Sequence, residues 1–208
     1  MTSSTGRGLA ATGATTPRRA TPIIPRVAPL LVVIDMQRVF AEADSPWVVP
    51  GFAELVPAVE RLADAFGDRV VFTRFVPFEE PPGPGSWTDY YALFPFFLRP
   101  ESEGLTHLAE PFASRDVPTL EAPTFSKHGP KLEALAGPER SIVLCGVSTD
   151  CCVISTALAA ADAGMRVRVV GDACAGVTPA SHGAALAVMG GYAGQISITT
   201  LEEELARG

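Results

Sequence analysis

The chain has 208 residues, of which 47% are hydrophobic, and its formal charge at neutral pH is -7. This length and apolar content are sufficient for one sizeable α/β domain with its own core. The net negative charge argues against nucleic acid or an anionic membrane as the main partner. No apolar run approaches the roughly 20 residues that are needed to cross a bilayer.

Residues 1–26 are rich in Thr, Ala, Gly, Pro and Arg and lack the apolar core of a secretion signal. We therefore expect a flexible N-terminal arm over 1–26, which could instead drape over a neighbouring subunit, and a single domain over 27–208. The spacing of the cysteines matches neither a zinc site nor a disulfide framework, which favours a cytoplasmic location. The four cysteines are Cys145, Cys151, Cys152 and Cys174.

Apolar runs typical of buried strands alternate with helical spacing throughout the domain. The predicted strands are 30–34, 69–75, 117–122, 141–144, 166–172 and 195–200. The predicted helices are 51–66, 131–136, the Ala-rich stretch ending at Gly164, 179–189 and 201–206. This alternation predicts an α/β fold with a single doubly wound, mostly parallel six-stranded sheet and helices on both faces.

The segment 76–87 contains so much Pro and Gly that we expect no regular element there. The segment follows the carboxyl end of a predicted strand, where α/β proteins place their functional sites, so we expect it to cover such a site. Its acidic residues Glu79 and Glu80 could favour a cationic substrate. Alternatively, they are simply solvated loop residues. The aromatic residues that follow could form a substrate wall or a subunit contact, or simply pack. They are Trp87, Tyr90, Tyr91, Phe94, Phe96 and Phe97.

Residues 144–158 read as the end of a strand, a tight turn and a helix that begins near Cys151 and Cys152. A thiol at a helix N-terminus lies at the positive end of the helix dipole, which favours the thiolate. The free N–H groups of the first turn could also hold a developing oxyanion. The alternative is that both cysteines are small buried hydrophobes.

Two charged residues follow other predicted strands. Asp35 ends the first apolar run, and Lys127 comes after the edge strand. The carboxyl ends of parallel strands are where α/β sites form, so both are candidates for chemistry. Otherwise Asp35 caps a loop and Lys127 is a solvated surface charge.

The stretch Gly146–Val153 is similar to the Gly-Val-x-Thr-x-x-Cys-Val pattern of the isochorismatase-like cysteine hydrolases, and Ile34–Gln37 and Phe125–Lys127 match two further segments of that family. The resemblance runs from about residue 30 to the C-terminus. It implies that Cys152 is the nucleophile, with Cys151 as its neighbour. Asp35 would accept the thiol proton and Lys127 would stabilise the charged pair.

The resemblance also implies a cis peptide between Val147 and Ser148, and an oxyanion hole formed by the N–H groups of Ser148 and Cys152. Family members form dimers and tetramers, so we expect a homodimer or homotetramer. Substrate contacts are expected from pocket residues near these motifs. The candidates are Gln37, Phe40, Arg74, Trp87, Tyr90 and Tyr91.

Nicotinamidases carry an Asp-x-His…His metal motif after the second strand, whereas the corresponding residues 73–77 contain no histidine. The absence of these histidines predicts no catalytic metal. The segments 73–75, 85–87 and 90–91 resemble the metal-free amidohydrolase branch of the family, which implies no cofactor. Members of that branch hydrolyse C–N bonds in small amides, carbamoyl compounds, ureides and lactams, including streptothricin-type lactams. Two alternatives are an isochorismatase-type vinyl ether hydrolase that uses Asp35 as its acid, and a non-catalytic binding module.

Overall fold

The computed structural model describes Met1 and residues 28–207. The predicted N-terminal arm lies outside the described residues, apart from Met1. Six β-strands form one sheet in the order β3-β2-β1-β4-β5-β6, and every pairing between neighbours is parallel. The strands are β1 Leu30–Ile34, β2 Val70–Phe75, β3 Thr119–Ala122, β4 Ser141–Val147, β5 Arg166–Ala175 and β6 Ile196–Thr199.

Helices cover both faces of this sheet. They are α1 Arg38–Ala41, α2 Phe52–Phe66, α3 Ser86–Leu93, α4 Pro130–Ala136, α5 Ile154–Asp162, α6 Pro179–Gly190 and α7 Leu201–Leu205. The doubly wound α/β prediction is confirmed, and the sheet is fully rather than mostly parallel.

The core has two halves because consecutive strand residues point to opposite faces of a sheet. In β1, Leu31 and Val33 pack with α2, whereas Leu30, Val32 and Ile34 pack with α4, α5 and α6. All five of these side chains are buried. A continuous apolar run is what a central parallel strand requires, since helices cover both of its sides.

Most boundaries agree with the sequence prediction to within two residues, and three differences are larger. Helix α3 begins at Ser86, inside a segment predicted to be irregular, and β5 extends to Ala175. Strand β4 continues through Gly146, which has φ +108°, and a Cβ there would collide with the carbonyl oxygen of Ile34. Only glycine permits both that conformation and the close approach of β4 to β1.

Strands β1 and β4 are neighbours in the sheet although they are far apart in sequence. Strands β2 and β3 are added on one side of this pair, and β5 and β6 on the other. At such a switch point the loops leave the two strands on opposite faces and open a crevice at their carboxyl ends. The crevice here lies where Asp35 follows β1 and the cysteine-containing turn follows β4.

Candidate active site

Asp35 is held in one orientation at the end of β1. Its side chain is fully buried, and its backbone has φ +48°, in the left-handed region that Asp tolerates better than most residues. The hydroxyl of Thr73 on β2 donates to Oδ1 of Asp35 over 2.6 Å and accepts from its backbone N–H over 3.1 Å. Thr73 therefore fixes the carboxylate from the neighbouring strand and leaves Oδ2 to face another group.

That other group is the ammonium of Lys127. Nζ of Lys127 lies 3.0 Å from Oδ2 of Asp35, and both side chains have no exposed surface. Nζ also donates to the carbonyl of Thr124 over 3.0 Å and lies 5.1 Å from the ring centre of Phe75. An isolated buried charge is very unfavourable, so each member of this pair depends on the other.

Cys152 follows β4 in a π-helical turn, Thr149–Val153, that leads into α5. Thr156 on the first turn of α5 connects this turn to the Lys127 segment. Its hydroxyl donates to the carbonyl of Cys152 over 2.7 Å and accepts from the N–H of Lys127 over 2.9 Å. We call Asp35, Thr73, Lys127 and Thr156 the polar floor.

The surroundings shift the pKa values of the two adjacent thiols in opposite directions. Hydrogen bonding with Cys151, burial and the nearby Asp35 carboxylate raise the pKa of Cys152 well above its usual range. The same hydrogen bond lowers the pKa of the Cys151 thiol. The dipole of a helix N-terminus favours a thiolate, whereas these three effects oppose one at Cys152.

The peptide bond between Val147 and Ser148 is cis, as the family resemblance implies. Ser148 is buried at the start of the cysteine turn, and its carbonyl accepts the N–H groups of Cys151 and Val153 over 3.1 Å each. Ser148 thus organises the turn that carries both predicted oxyanion donors.

A cavity of about 320 Å³ opens above the cysteines. Six of its lining residues are aromatic, and we call them the aromatic wall: Phe40, Trp47, Phe75, Tyr90, Phe94 and Phe125. The remaining lining residues are Pro46, Val48, Val49, Ser148, Cys151, Cys152 and Val177. The cavity therefore combines an apolar binding surface with two thiols.

Of the predicted substrate contacts, Phe40 and Tyr90 line the cavity. Burial, followed by the neighbouring cysteines, raises the pKa of the Tyr90 phenol, so the phenol stays a neutral donor. Trp87 lies behind the wall, with its ring centre 4.8 Å from that of Phe125. Tyr91 is 2% exposed and stacks on Phe97, also behind the wall.

Gln37 and Arg74 do not reach the cavity, in contrast to the sequence prediction. The side-chain amide of Gln37 donates to the carbonyls of Phe75 and Thr106 and accepts the N–H of Phe75. Arg74 binds the carbonyl of Thr106 over 2.8 Å and the carboxylate of Glu121 over 2.8 Å. Both side chains fasten loops to the sheet because their polar groups find backbone partners there.

Sequence reasoning missed Trp47 and the two threonines of the polar floor. The position of Trp47 after β1 was a signal, since loops at that end of the sheet surround the crevice. Its ring centre lies 4.6 Å from that of Phe97 and 5.5 Å from that of Phe94. Thr73 and Thr156 had no signal, because a single threonine in a strand or helix is ordinary.

Residues 29–202 match the family model of the isochorismatase domain. The chain belongs to the isochorismatase-like hydrolase family. A 35-residue stretch is 60% identical to Isochorismatase domain-containing protein 2 of Xenopus laevis and 54% identical to that of Bos taurus. Each match covers 17% of this chain and 17% of the relative.

Solved structures with the same fold include a cysteine hydrolase from Pseudomonas syringae, with a TM-score of 0.74, 20% identity, and 91% of this chain and 98% of that chain covered. A nicotinamidase from Bacillus subtilis has a TM-score of 0.65 at 20% identity, covering 81% and 98%. The MAR1 ribonuclease of Caenorhabditis elegans has a TM-score of 0.63 at 22% identity, covering 86% and 82%. At these identities the similarity shows the fold.

Within Met1 and residues 28–207, no group of three or more His, Cys, Asp or Glu side chains is arranged to hold a metal ion. His182 contacts the hydroxyl of Thr149 through Nδ1 over 2.9 Å, and His128 contacts Glu133.

No helix within Met1 and residues 28–207 is long and apolar enough to cross a membrane.

Proposed function

We propose that this isochorismatase-family protein is a cysteine-dependent amidohydrolase that cleaves a C–N bond in a small molecule through a thioester. The observation that carries the proposal is the fully buried ion pair between Asp35 and Lys127, with 3.0 Å between Oδ2 and Nζ, beside a cavity that contains Cys152. A buried carboxylate that is held by a cation and lies near a thiol is suited to accept a proton.

In the proposed reaction, Asp35 takes the Cys152 proton as Sγ forms a bond to the amide carbon. The N–H groups of Ser148 and Cys152 stabilise the oxyanion. Asp35 returns the proton to the departing nitrogen, and the C–N bond breaks to leave a thioester. Water then attacks the thioester while Asp35 accepts its proton. The C–S bond breaks, Asp35 returns that proton to Sγ of Cys152, and the carboxylic acid product is released.

The raised pKa of Cys152 is compatible with this order of steps, because the thiol transfers its proton to Asp35 while it attacks the amide carbon and not before. Lys127 is the counter-ion of the Asp35 carboxylate before that transfer and again once the proton has been returned. The proposal needs no metal ion or cofactor for any step.

The test is a comparison of Cys152→Ala with Cys151→Ala in amide hydrolysis. We expect Cys152→Ala to lower kcat/KM by at least about 10⁴-fold, as loss of a covalent nucleophile does, and Cys151→Ala to lower it by less than about tenfold. Quenched reactions of the unmodified protein should show the acyl mass on Cys152 by peptide mapping.

If only Cys151→Ala lost activity, the nucleophile would be Cys151 and not Cys152. Retention of substrate cleavage in Cys152→Ala would support the vinyl ether hydrolase that uses Asp35 as its acid. Unchanged ligand binding with no turnover in any variant would support a binding module.

A further inference from the structure

The cavity above Cys152 has no charged lining. Among the described residues, its lining includes no Asp, Glu, Lys, Arg or His side chain. Its polar side-chain groups are the two thiols and the hydroxyls of Ser148 and Tyr90, while the indole nitrogen of Trp47 is buried. A ligand inside this cavity therefore meets hydrocarbon surface and a few neutral polar groups.

The charges beneath the cavity are already paired. Asp35 and Lys127 neutralise each other at 3.0 Å, and neither side chain has exposed surface. The acidic pair Glu79 and Glu80 lines a separate surface groove of about 850 Å³ that contains no cysteine. Neither a cationic nor an anionic substrate group would find a counter-charge beside Cys152.

We infer that the substrates are uncharged carboxamides whose acyl group is a hydrocarbon, either an aryl or a branched alkyl group. This inference rests on the proposed amidohydrolase function and narrows its substrate class. An ionised group would lose its hydration on entering the cavity without gaining a partner, which disfavours it strongly. Aromatic acyl groups would gain ring contacts with the aromatic wall.

The size of the cavity limits the acyl group. A volume of about 320 Å³ lies at the small end of the roughly 300–1,000 Å³ that is usual for ligand sites. One or two rings would fit with the amide carbon near Cys152. Compounds with two carboxylates, such as isochorismate, are excluded by this inference on charge.

The rim offers a way to change the selectivity. Val177 lines the cavity and is 53% exposed, so a longer side chain there has room to extend into solvent or across the opening. Val177→Lys would supply the cation that the cavity lacks. Val188 on α6 is 51% exposed and does not line the cavity, so Val188→Lys is a matched control.

The experiment measures ammonia release from three amides of similar shape: 4-methylbenzamide, 4-carboxybenzamide and 4-(aminomethyl)benzamide. We expect kcat/KM for the methyl compound to exceed that of either charged compound by at least about 100-fold. Val177→Lys should raise kcat/KM for 4-carboxybenzamide by at least about tenfold and leave 4-(aminomethyl)benzamide poor. Val188→Lys should change neither ratio. Rates within about fivefold of one another for all three amides would overturn the inference.

A binding measurement separates this inference from the proposed function. Aldehydes add reversibly to thiols, forming an S–C bond while the thiol proton moves to the former carbonyl oxygen. We expect 4-methylbenzaldehyde, but not 4-carboxybenzaldehyde, to protect Cys152 from alkylation. Protection by the neutral aldehyde without hydrolysis of any amide supports the inferred ligand class and contradicts the hydrolase proposal. Equally fast hydrolysis of charged and neutral amides would support the hydrolase proposal and contradict the inferred ligand class.

Discussion

The polar floor and the aromatic wall meet at Cys152 but are built differently. The floor consists of buried residues on or next to regular elements, each with a hydrogen bond or ion-pair partner in the fold. The wall is formed mostly by loops and by α3, and its side chains contact one another through ring surfaces. If the proposed function holds, the polar floor supplies the chemistry and the aromatic wall decides what can bind.

Phe75 joins the two regions. It ends β2, its ring lies 5.1 Å from Nζ of Lys127, and it also lines the cavity. An aromatic face stabilises a cation while presenting hydrocarbon on its other side. The charge of Lys127 is thereby separated from the ligand cavity.

The comparison predicts that changes in the floor reduce kcat and changes in the wall alter KM. The largest effect is expected for Asp35→Asn, which keeps the shape of the side chain but removes the base. We expect kcat to fall by about 10³-fold with KM little changed, since general acid–base catalysis contributes roughly 10²–10⁴-fold. Steady-state kinetics on a hydrolysed amide measure this, with Asp68→Asn at an exposed position as the control. An increase in KM alone would contradict the role of Asp35 as the base.

The second prediction concerns stability. Lys127→Met leaves the Asp35 carboxylate buried without its cation, so we expect the free energy of unfolding in urea to fall by about 3–5 kcal/mol. The double variant Asp35→Leu/Lys127→Met removes both charges and should recover most of that loss. Lys131→Met, at an exposed lysine on α4, should be nearly neutral. No recovery in the double variant would mean that the loss comes from packing and not from the unpaired charge.

The third prediction tests the wall. Trp47→Leu removes ring surface from the cavity, and we expect KM to rise about tenfold while kcat changes by less than about threefold. Trp87→Leu is the matched control because that ring packs behind the wall and does not line the cavity. It should lower the melting temperature without a comparable change in KM. Equal KM effects in the two variants would remove the distinction between wall and support.

The smallest effect is expected at Tyr91. Its hydroxyl is buried without a hydrogen-bond partner among the described residues, so Tyr91→Phe should leave stability at pH 7 unchanged or slightly higher. Burial raises the pKa of Tyr91 from 10.0 to about 12. Because the folded state holds this proton more tightly, the associated stability is complete below pH 10 and is lost as the pH rises through 12.

Urea unfolding between pH 9 and pH 12 tests this dependence. Tyr91→Phe should flatten the decline by on the order of 1 kcal/mol, and Tyr192→Phe at a partly exposed tyrosine should not. Identical slopes for the unmodified protein and Tyr91→Phe would show that other groups cause the alkaline loss.

Particular residues show how far the sequence could be interpreted. Asp35, Lys127 and Cys152 each follow a predicted strand, and parallel strands place their carboxyl ends at one edge, so their proximity was predictable. Gln37 and Arg74 satisfy the same positional argument but lie outside the cavity, because their partners are the carbonyls of a distant loop. Sequence position gave the edge of the sheet but not the direction of each side chain.

By itself, the sequence determined the alternation of strands and helices and the family motif around Cys152, because both are local patterns of apolar residues and small turn residues. Only the tertiary structure decided the burial of Cys152, its proximity to Asp35 and the lining of the cavity. The pKa of Cys152 is raised by the hydrogen bond with Cys151, by burial and by the Asp35 carboxylate, which is more than 100 positions away in the chain. The aromatic wall brings together residues from 40 to 125, and whether a ring lines a cavity or supports one depends on loop packing that no local pattern specifies.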